Sequence, residues 1–151
     1  MNANKVAKMT DKNRILVVDD DEVVRRSYLR SLENASCQVA AASDGEEALQ
    51  TMEQNPFDVV LLDMRMPGQD GLSVLRTIKQ KWPESEVVII TGYPTVDSAK
   101  QAVQLGAYDY VAKPVGPQDV INVTDGAITR KQWALRRMPD ESDVASGSCA
   151  A

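Results

Sequence analysis

The sequence predicts an α/β fold in which a doubly wound, five-stranded parallel sheet carries helices on both faces. Five short apolar runs rich in β-branched residues alternate along the chain with stretches of helical period. The runs are almost continuously apolar, as expected for parallel strands that are buried on both faces. The length of 151 residues, of which 43% are hydrophobic, fits one globular domain.

Each predicted strand is bounded by Asp, Gly or Pro, which are typical of turns. In chain order the predicted strands are residues 14–18, 37–42, 57–62, 86–91 and 108–112. Between them, apolar side chains recur with the spacing of one helical face. These stripes are Val24, Tyr28, Leu29 and Leu32; then Ala48, Leu49 and Met52; then Leu72, Leu75 and Ile78; then Val96, Ala99 and Val103. Strands that alternate with helices imply right-handed crossovers between parallel strands.

A last helix is predicted from Pro117 to about residue 138, because proline suits the first helical turn and Asp119 suits the positive end of the helix dipole. Its cations, among them Arg130 and Lys131, favour a solvated face over a DNA contact. Residues 1–12 and 138–151 show no periodic pattern, so we expect disordered ends around a domain at 13–137.

Composition excludes several kinds of chemistry. The chain has no histidine, so a Ser-His-Asp or Cys-His nucleophile and a His-containing zinc site are ruled out. Its net charge of −5 argues against a direct nucleic-acid partner. No apolar stretch reaches membrane-spanning length, and the N-terminus lacks the apolar core of a signal peptide. We therefore expect a cytoplasmic protein without a membrane partner.

Polar residues follow the apolar runs at the points where ligands gather in an open parallel sheet, outside the carboxyl ends of the strands. These residues are Asp19, Asp20 and Asp21 after the first run, Asp63 after the third, Thr91 at the end of the fourth and Lys113 after the fifth. We expect them to converge on one edge of the sheet. Asp21 is predicted to cap the following helix rather than to bind a ligand.

Carboxylates that crowd together repel one another, so at least one pKa is expected to rise unless a cation offsets the charge. Oxygen ligands without His or Cys favour Mg²⁺ over Zn²⁺. With Mg²⁺ and Lys113 beside it, Asp63 is a candidate nucleophile towards phosphorus, because carboxylates can carry a phosphoryl group. Thr91 is placed to offer a hydroxyl to one phosphoryl oxygen.

Four blocks of sequence occur in a characteristic order: ILVVDDDE, DVVLLDMRMPGQDG, VVIITGY and GAYDYVAKP. They resemble the motif blocks of the receiver domain of two-component response regulators, a chemotaxis-regulator-like domain. The stretch TGYPTVDSAKQAVQLGAYDYVAKP is similar to receivers that precede ATPase-type transcription activators. The resemblance covers residues 13–137 and implies a flavodoxin-like fold. It implies a phosphoacceptor signalling domain that catalyses only its own phosphotransfer and dephosphorylation.

The resemblance also assigns roles to individual residues. Asp63 becomes the phosphoacceptor, and the Mg²⁺ ligands are Asp19, Asp20, Asp63 and the backbone carbonyl of Arg65. Thr91 becomes the switch hydroxyl, and Tyr110 becomes the aromatic residue whose rotamer reports activation. Lys113 becomes the lysine that assists phosphotransfer, with a cis peptide bond to Pro114.

The implied partners are a sensor histidine kinase or phosphotransfer protein that donates the phosphoryl group, and a downstream effector on the face formed by the fourth helix, fifth strand and fifth helix. Homodimerisation stays open, as does the choice between a stand-alone receiver and a fragment of a longer regulator. Arg65 and Tyr93 are large residues two positions beyond Asp63 and Thr91, and they predict slow loss of the phosphoryl group.

Two other functions fit part of the pattern. A phosphatase of the haloacid dehalogenase type also uses Asp, Thr, Lys and Mg²⁺, but it requires an acid two residues after the nucleophile, where this chain has Arg65. A nucleotide-binding module or a pseudo-receiver scaffold is disfavoured, because no Gly-rich phosphate loop is present and the acidic and lysine positions are all filled.

Overall fold

The computed structural model describes residues 12–33, 37–66 and 68–137. The predicted disordered segments lie outside this part of the chain, apart from Lys12. Strands and helices alternate throughout. The strands are β1 (Asn13–Val18), β2 (Cys37–Ala42), β3 (Val59–Asp63), β4 (Glu86–Thr91) and β5 (Asp109–Ala112). The helices are α1 (Glu22–Leu32), α2 (Gly45–Gln54), α3 (Gly71–Lys81), α4 (Val96–Gln104) and α5 (Pro117–Arg137).

The five strands form one parallel sheet in the order β2-β1-β3-β4-β5. This confirms the predicted doubly wound fold. The register pairs Val18 with Leu62, and Thr91 with Ala112, so the strands end level with one another. We call this side of the sheet the carboxyl edge and the opposite side the amino edge. The strand order reverses between β1 and β3, which is where such sheets bind ligands.

Alternate residues of each central strand enter two separate cores. On one face, Leu16, Val60 and Ile89 pack with residues of α2, α3 and α4. On the other, Ile15, Leu61 and Val88 pack with residues of α1 and α5. Burial of both faces explains why the strand sequences are almost continuously apolar.

Side chains at the carboxyl edge cap the first four helices, satisfying backbone N–H groups that have no partner within the helix. The capping residues are Asp21, Asp44, Asp70 and Thr95. The expected cap at Asp21 is confirmed, since its carboxylate accepts a hydrogen bond from the Val23 backbone N–H at 2.9 Å.

Two predictions need correction. The third strand begins at Val59 rather than at residue 57 and includes Asp63, so strand pairing fixes the backbone of that acid. The solvated face predicted for α5 is wrong at Lys131, whose side chain is 17% exposed and pairs with Asp58 at the amino edge. Among the described residues, no helix is long and apolar enough to cross a bilayer.

Candidate functional site

Three carboxylates meet where β1 and β3 end. Asp19, Asp20 and Asp63 each offer an oxygen atom, and these atoms lie within 4.8 Å of one another. Asp19 is 2% exposed and Asp63 is 6% exposed, whereas Asp20 faces solvent. The cluster is therefore open on one side, and its oxygen donors suit a hard divalent cation such as Mg²⁺.

Lys113, which follows β5, reaches this cluster across β4. Its Nζ donates a hydrogen bond to Asp19 Oδ2 at 2.9 Å and lies 3.7 Å from Asp63 Oδ1. The Lys113 N–H donates to the Thr91 carbonyl at 2.8 Å, and the peptide bond to Pro114 is cis, as expected. One ammonium group thus faces two of the three carboxylates, and an excess of negative charge remains in the cluster.

Burial and the excess negative charge both affect the pKa of Asp63. Burial, followed by repulsion from Asp19, raises its pKa from 3.8 to about 6, although Lys113 and the Arg65 backbone N–H act in the opposite direction. The expectation of a raised carboxylate pKa is confirmed. Burial alone would lower the pKa of Lys113, but the hydrogen bond and charge of Asp19 outweigh it and raise that pKa.

The turn after Asp63 folds back against the strand end. Arg65 and Asp70 form an isolated antiparallel bridge, and the Gly71 N–H donates to the Met64 carbonyl at 2.8 Å. A Cβ atom on Gly71 would lie 2.7 Å from the Asp63 carbonyl oxygen, closer than real contacts allow. Glycine at this position therefore lets α3 start directly against the backbone of Asp63.

The side chains of the two predicted switch residues form hydrogen bonds with neighbours outside the acidic cluster. Thr91 is fully buried at the end of β4, and its hydroxyl oxygen accepts a hydrogen bond from the Tyr93 N–H at 3.0 Å. The Tyr110 hydroxyl lies at the N-terminus of α4, where it accepts a hydrogen bond from the Thr95 N–H at 3.2 Å and shares another with Ser98.

Two loops meet beside the site. The Arg65 guanidinium, from the loop after β3, lies 4.1 Å from the ring centroid of Tyr93, from the loop after β4. This cation–π contact joins the two large side chains that the sequence places beyond Asp63 and Thr91. Its effect on the loss of a phosphoryl group stays a prediction.

Sequence reasoning missed two residues of α1 that lie near the cluster. Arg25 donates from Nη1 to the Asp19 carbonyl oxygen at 2.7 Å, which braces the loop between β1 and α1. Tyr28 is predicted only as part of an apolar stripe, yet it lines a cavity together with Lys113, and burial raises the pKa of its phenol. The only sign of them in the sequence is their distance from Asp19 and Asp20. Arg25 lies about one turn and Tyr28 about two turns into the helix that follows these acids.

Comparison with known proteins agrees with this geometry. The model of the response regulator receiver domain family matches residues 15–125. The chain belongs to this family. It is a receiver domain of two-component signalling, a class of phosphorylation-activated switches, and the haloacid dehalogenase alternative finds no support.

The chain is similar to parts of two transcription regulators. The DNA-binding transcriptional regulator NtrC of Klebsiella pneumoniae is 38% identical over 131 residues, which cover 85% of this chain and 28% of that protein. The alginate biosynthesis regulator AlgB of Pseudomonas aeruginosa is 37% identical over 88% of this chain and 30% of its own length. This receiver therefore spans less than a third of either relative.

A solved receiver domain from Clostridium thermocellum has the same fold. It superposes with a TM-score of 0.75 at 36% identity, covering 81% of this chain and 98% of that one. Receiver domains bind Mg²⁺ at an acidic pocket, and the cluster of Asp19, Asp20 and Asp63 supplies such a pocket in this receiver.

Proposed function

We propose that Asp63 accepts a phosphoryl group from a phosphohistidine of a sensor kinase or phosphotransfer protein. The observation that carries this proposal is the meeting of Lys113 with two buried carboxylates at the end of β3. None of these 151 residues is a histidine, so the phosphohistidine lies outside this receiver. Asp63 is ionised at neutral pH even with its pKa raised to about 6, so it is available as a nucleophile.

The transfer balances without any further reactant. An Asp63 carboxylate oxygen forms a bond to phosphorus while the bond from phosphorus to the donor nitrogen breaks. The donor ring carries a proton on its other nitrogen, so the leaving nitrogen takes the electron pair and the ring departs as neutral imidazole. Asp19, Asp20, Asp63 and the backbone carbonyl of Arg65 would hold Mg²⁺, which supplies positive charge to the phosphoryl oxygens. Lys113 supplies a second positive charge after it turns from Asp19.

Phosphorylation would act on the molecule through Thr91 and Tyr110. A phosphoryl group adds about −1.5 to −2 charge and three strong acceptor oxygens. Thr91 would turn its hydroxyl to one of these oxygens, and Tyr110 would leave Thr95 and Ser98 for the space behind Thr91. Two charged hydrogen bonds of about 1.5–3 kcal/mol each approach the roughly 5.5 kcal/mol that inverts a 1:99 equilibrium.

The effector would bind the face formed by α4, β5 and α5. Val96 and Val103 support this assignment, because they are 74% and 69% exposed and lie two turns apart on α4. Tyr110 links this helix to the sheet, so its movement would change the face that carries both valines. The same face is the proposed surface for a homodimer that forms on phosphorylation.

The phosphodonor would approach from the other side of the site. An apolar cavity of about 480 Å³ lies between α1 and the loop after β5, lined by Val23, Val24 and Val115 among others, and Lys113 forms part of its wall. A protein surface seated there would bring its phosphohistidine next to Lys113 and Asp63. Apolar contact area supports docking of a protein rather than of a small phosphate ester.

The remaining assignments are also proposals. The domain at 13–137 would act as a signalling switch rather than as an enzyme with turnover of an external substrate. The names of NtrC and AlgB as transcription regulators support a downstream partner in transcriptional control. A cytoplasmic location follows from the same assignment, since a cytoplasmic kinase domain must reach Asp63.

The direct test is mass spectrometry after incubation with acetyl phosphate and Mg²⁺. We expect one added phosphoryl group on the wild type, loss of labelling in Asp63→Asn, and normal labelling in the control Asp97→Asn, which changes an acid in the first turn of α4. Thr91→Ala should be labelled but should not change conformation when beryllofluoride is added. Equal labelling of Asp63→Asn and wild type would disprove the assignment of the acceptor.

A further inference from the structure

Tyr28 is a buried residue with a hydroxyl group, and it lies next to the site. The proposed phosphotransfer gives this residue no role. It lies on α1, is 6% exposed, and packs in the core with Val24 and Val115. Its side chain and that of Lys113 line the same apolar cavity between α1 and the loop after β5. Phenylalanine would fill the same space, so packing alone does not require the hydroxyl of Tyr28.

The ammonium group of Lys113 forms one hydrogen bond within the described part of the chain, although phosphotransfer requires it to lie in one defined position. Its ammonium group has three N–H donors. One bonds Asp19 at 2.9 Å, whereas Asp63 at 3.7 Å lies beyond hydrogen-bond length. On phosphorylation the ammonium must turn from Asp19 to the new phosphoryl oxygens, and the open cavity gives it a competing direction.

Tyr28 and Lys113 line one cavity, and the hydrogen bond of the Lys113 ammonium goes to Asp19. Burial raises the pKa of Tyr28, so the phenol stays neutral at physiological pH, and Lys113 is the strongest of the charges that act on it. A neutral phenol oxygen accepts a hydrogen bond from an ammonium group without adding negative charge to an already acidic cluster. It can therefore hold the ammonium without competing for Mg²⁺.

We propose that the Tyr28 hydroxyl positions the Lys113 ammonium for phosphoryl transfer to Asp63. Tyr28 acts through Lys113 and does not touch the reacting atoms, so it is a positioning residue. This inference rests on the proposed function of Asp63. Loss of one such hydrogen bond should slow phosphorylation about 3- to 10-fold.

The test compares Tyr28→Phe with Tyr108→Phe. Tyr108 is a matched control, because it is half-buried on the same face of the sheet but lies beside Gly126 of α5. Phosphorylation rates are measured over a range of acetyl phosphate concentrations at fixed Mg²⁺. We expect Tyr28→Phe to lower the maximal rate about 3- to 10-fold without changing the half-saturating concentration, and Tyr108→Phe to leave both unchanged.

A double-mutant cycle separates positioning from packing. Tyr28→Phe should have no further effect on the rate when Lys113 is already alanine, since the hydroxyl then has no ammonium to hold. An undiminished effect in that background, or a full rate in Tyr28→Phe with loss only in Tyr28→Leu, would show that Tyr28 is a packing residue. Failure of the wild type to label at Asp63 would instead overturn the proposed function itself.

Discussion

The two edges of the sheet differ in how far positive charges compensate their acids. At the amino edge, Asp58 accepts the Arg14 N–H at 2.7 Å and pairs with Lys131 of α5. Glu86, with one oxygen 3.6 Å from Arg130, is a looser pair at the same edge. At the carboxyl edge, three carboxylates cluster, and the ammonium of Lys113 lies near two of them, Asp19 and Asp63.

The difference shows that the carboxyl edge carries negative charge that does not stabilise the fold. Buried charges cost free energy unless opposite charges and hydrogen bonds compensate them. The amino edge supplies such partners to Asp58 and joins β1, β3 and α5, so this acid serves the fold, whereas Glu86 Oε1 is buried there without a hydrogen-bond partner among the described residues. At the carboxyl edge, Lys113 compensates Asp19 but lies 3.7 Å from Asp63, so negative charge stays in excess until a cation binds. Functional residues should therefore destabilise the free protein.

The largest expected effect on stability is at the amino edge. Asp58→Ala removes the acceptor for the Arg14 N–H and leaves Lys131, 17% exposed, without its carboxylate. We expect a loss of about 2 kcal/mol in the free energy of unfolding, measured by urea denaturation. The control Arg26→Ala breaks the exposed pair with Glu22 and should change that free energy by less than about 0.5 kcal/mol. Equal effects of the two substitutions would remove the distinction between the edges.

A smaller effect of opposite sign is expected at the carboxyl edge. The folded protein binds more protons than the unfolded chain over about pH 4 to 6, because the pKa of Asp63 rises from 3.8 to about 6. Its stability without Mg²⁺ should therefore fall as the pH rises through this window. Asp63→Asn abolishes the ionisation. About two pKa units correspond to at most about 3 kcal/mol of stability. Because Lys113 also loses a neighbouring negative charge in this variant, we expect the free energy of unfolding to increase by about 1–2 kcal/mol at pH 7.

Measurements at two pH values and with Mg²⁺ make this prediction sharper. The advantage of Asp63→Asn over wild type should disappear near pH 4, where the wild-type carboxyl is protonated as well. Mg²⁺ should stabilise the wild type more than Asp63→Asn, because the variant lacks one carboxylate ligand. A variant less stable than wild type at pH 7 and equally responsive to Mg²⁺ would contradict the account of the carboxyl edge.

The sequence predicted which residues cluster at the carboxyl edge but not which residues pair at the amino edge, and the reason is physical. In a parallel sheet every strand ends on the same side, so the residues after the apolar runs must meet, and Asp19, Asp63 and Lys113 do meet. The pair between Asp58 and Lys131 joins residues 73 apart, and it depends on how α5 lies against the start of β3. Local patterns carry no such information.

The same limit applies to side chains whose neighbours lie on another loop or helix. The apolar period of α1 correctly placed Tyr28 in the core, but it gave no sign that Tyr28 shares a cavity with Lys113. Likewise, the positions of Arg65 and Tyr93 were noted from sequence, while their direct contact required the conformations of both loops. Topology was therefore predictable, and contacts between loops were not.

The smallest expected effect concerns this contact between Arg65 and Tyr93, which joins the loops after β3 and β4 at the carboxyl edge. A cation–π pair contributes about 0.5–1 kcal/mol at an exposed site, so Arg65→Ala or Tyr93→Ala should speed loss of the phosphoryl group only about 2- to 5-fold, by easing the approach of water. The double variant should be no faster than the faster single one, because the two side chains act together. Arg130→Ala is the matched control, since it removes the stack on Tyr108 at the amino edge and should leave the rate unchanged. Slower dephosphorylation in both single variants would mean that these side chains assist the attacking water, and that the carboxyl edge is built to release its phosphoryl group.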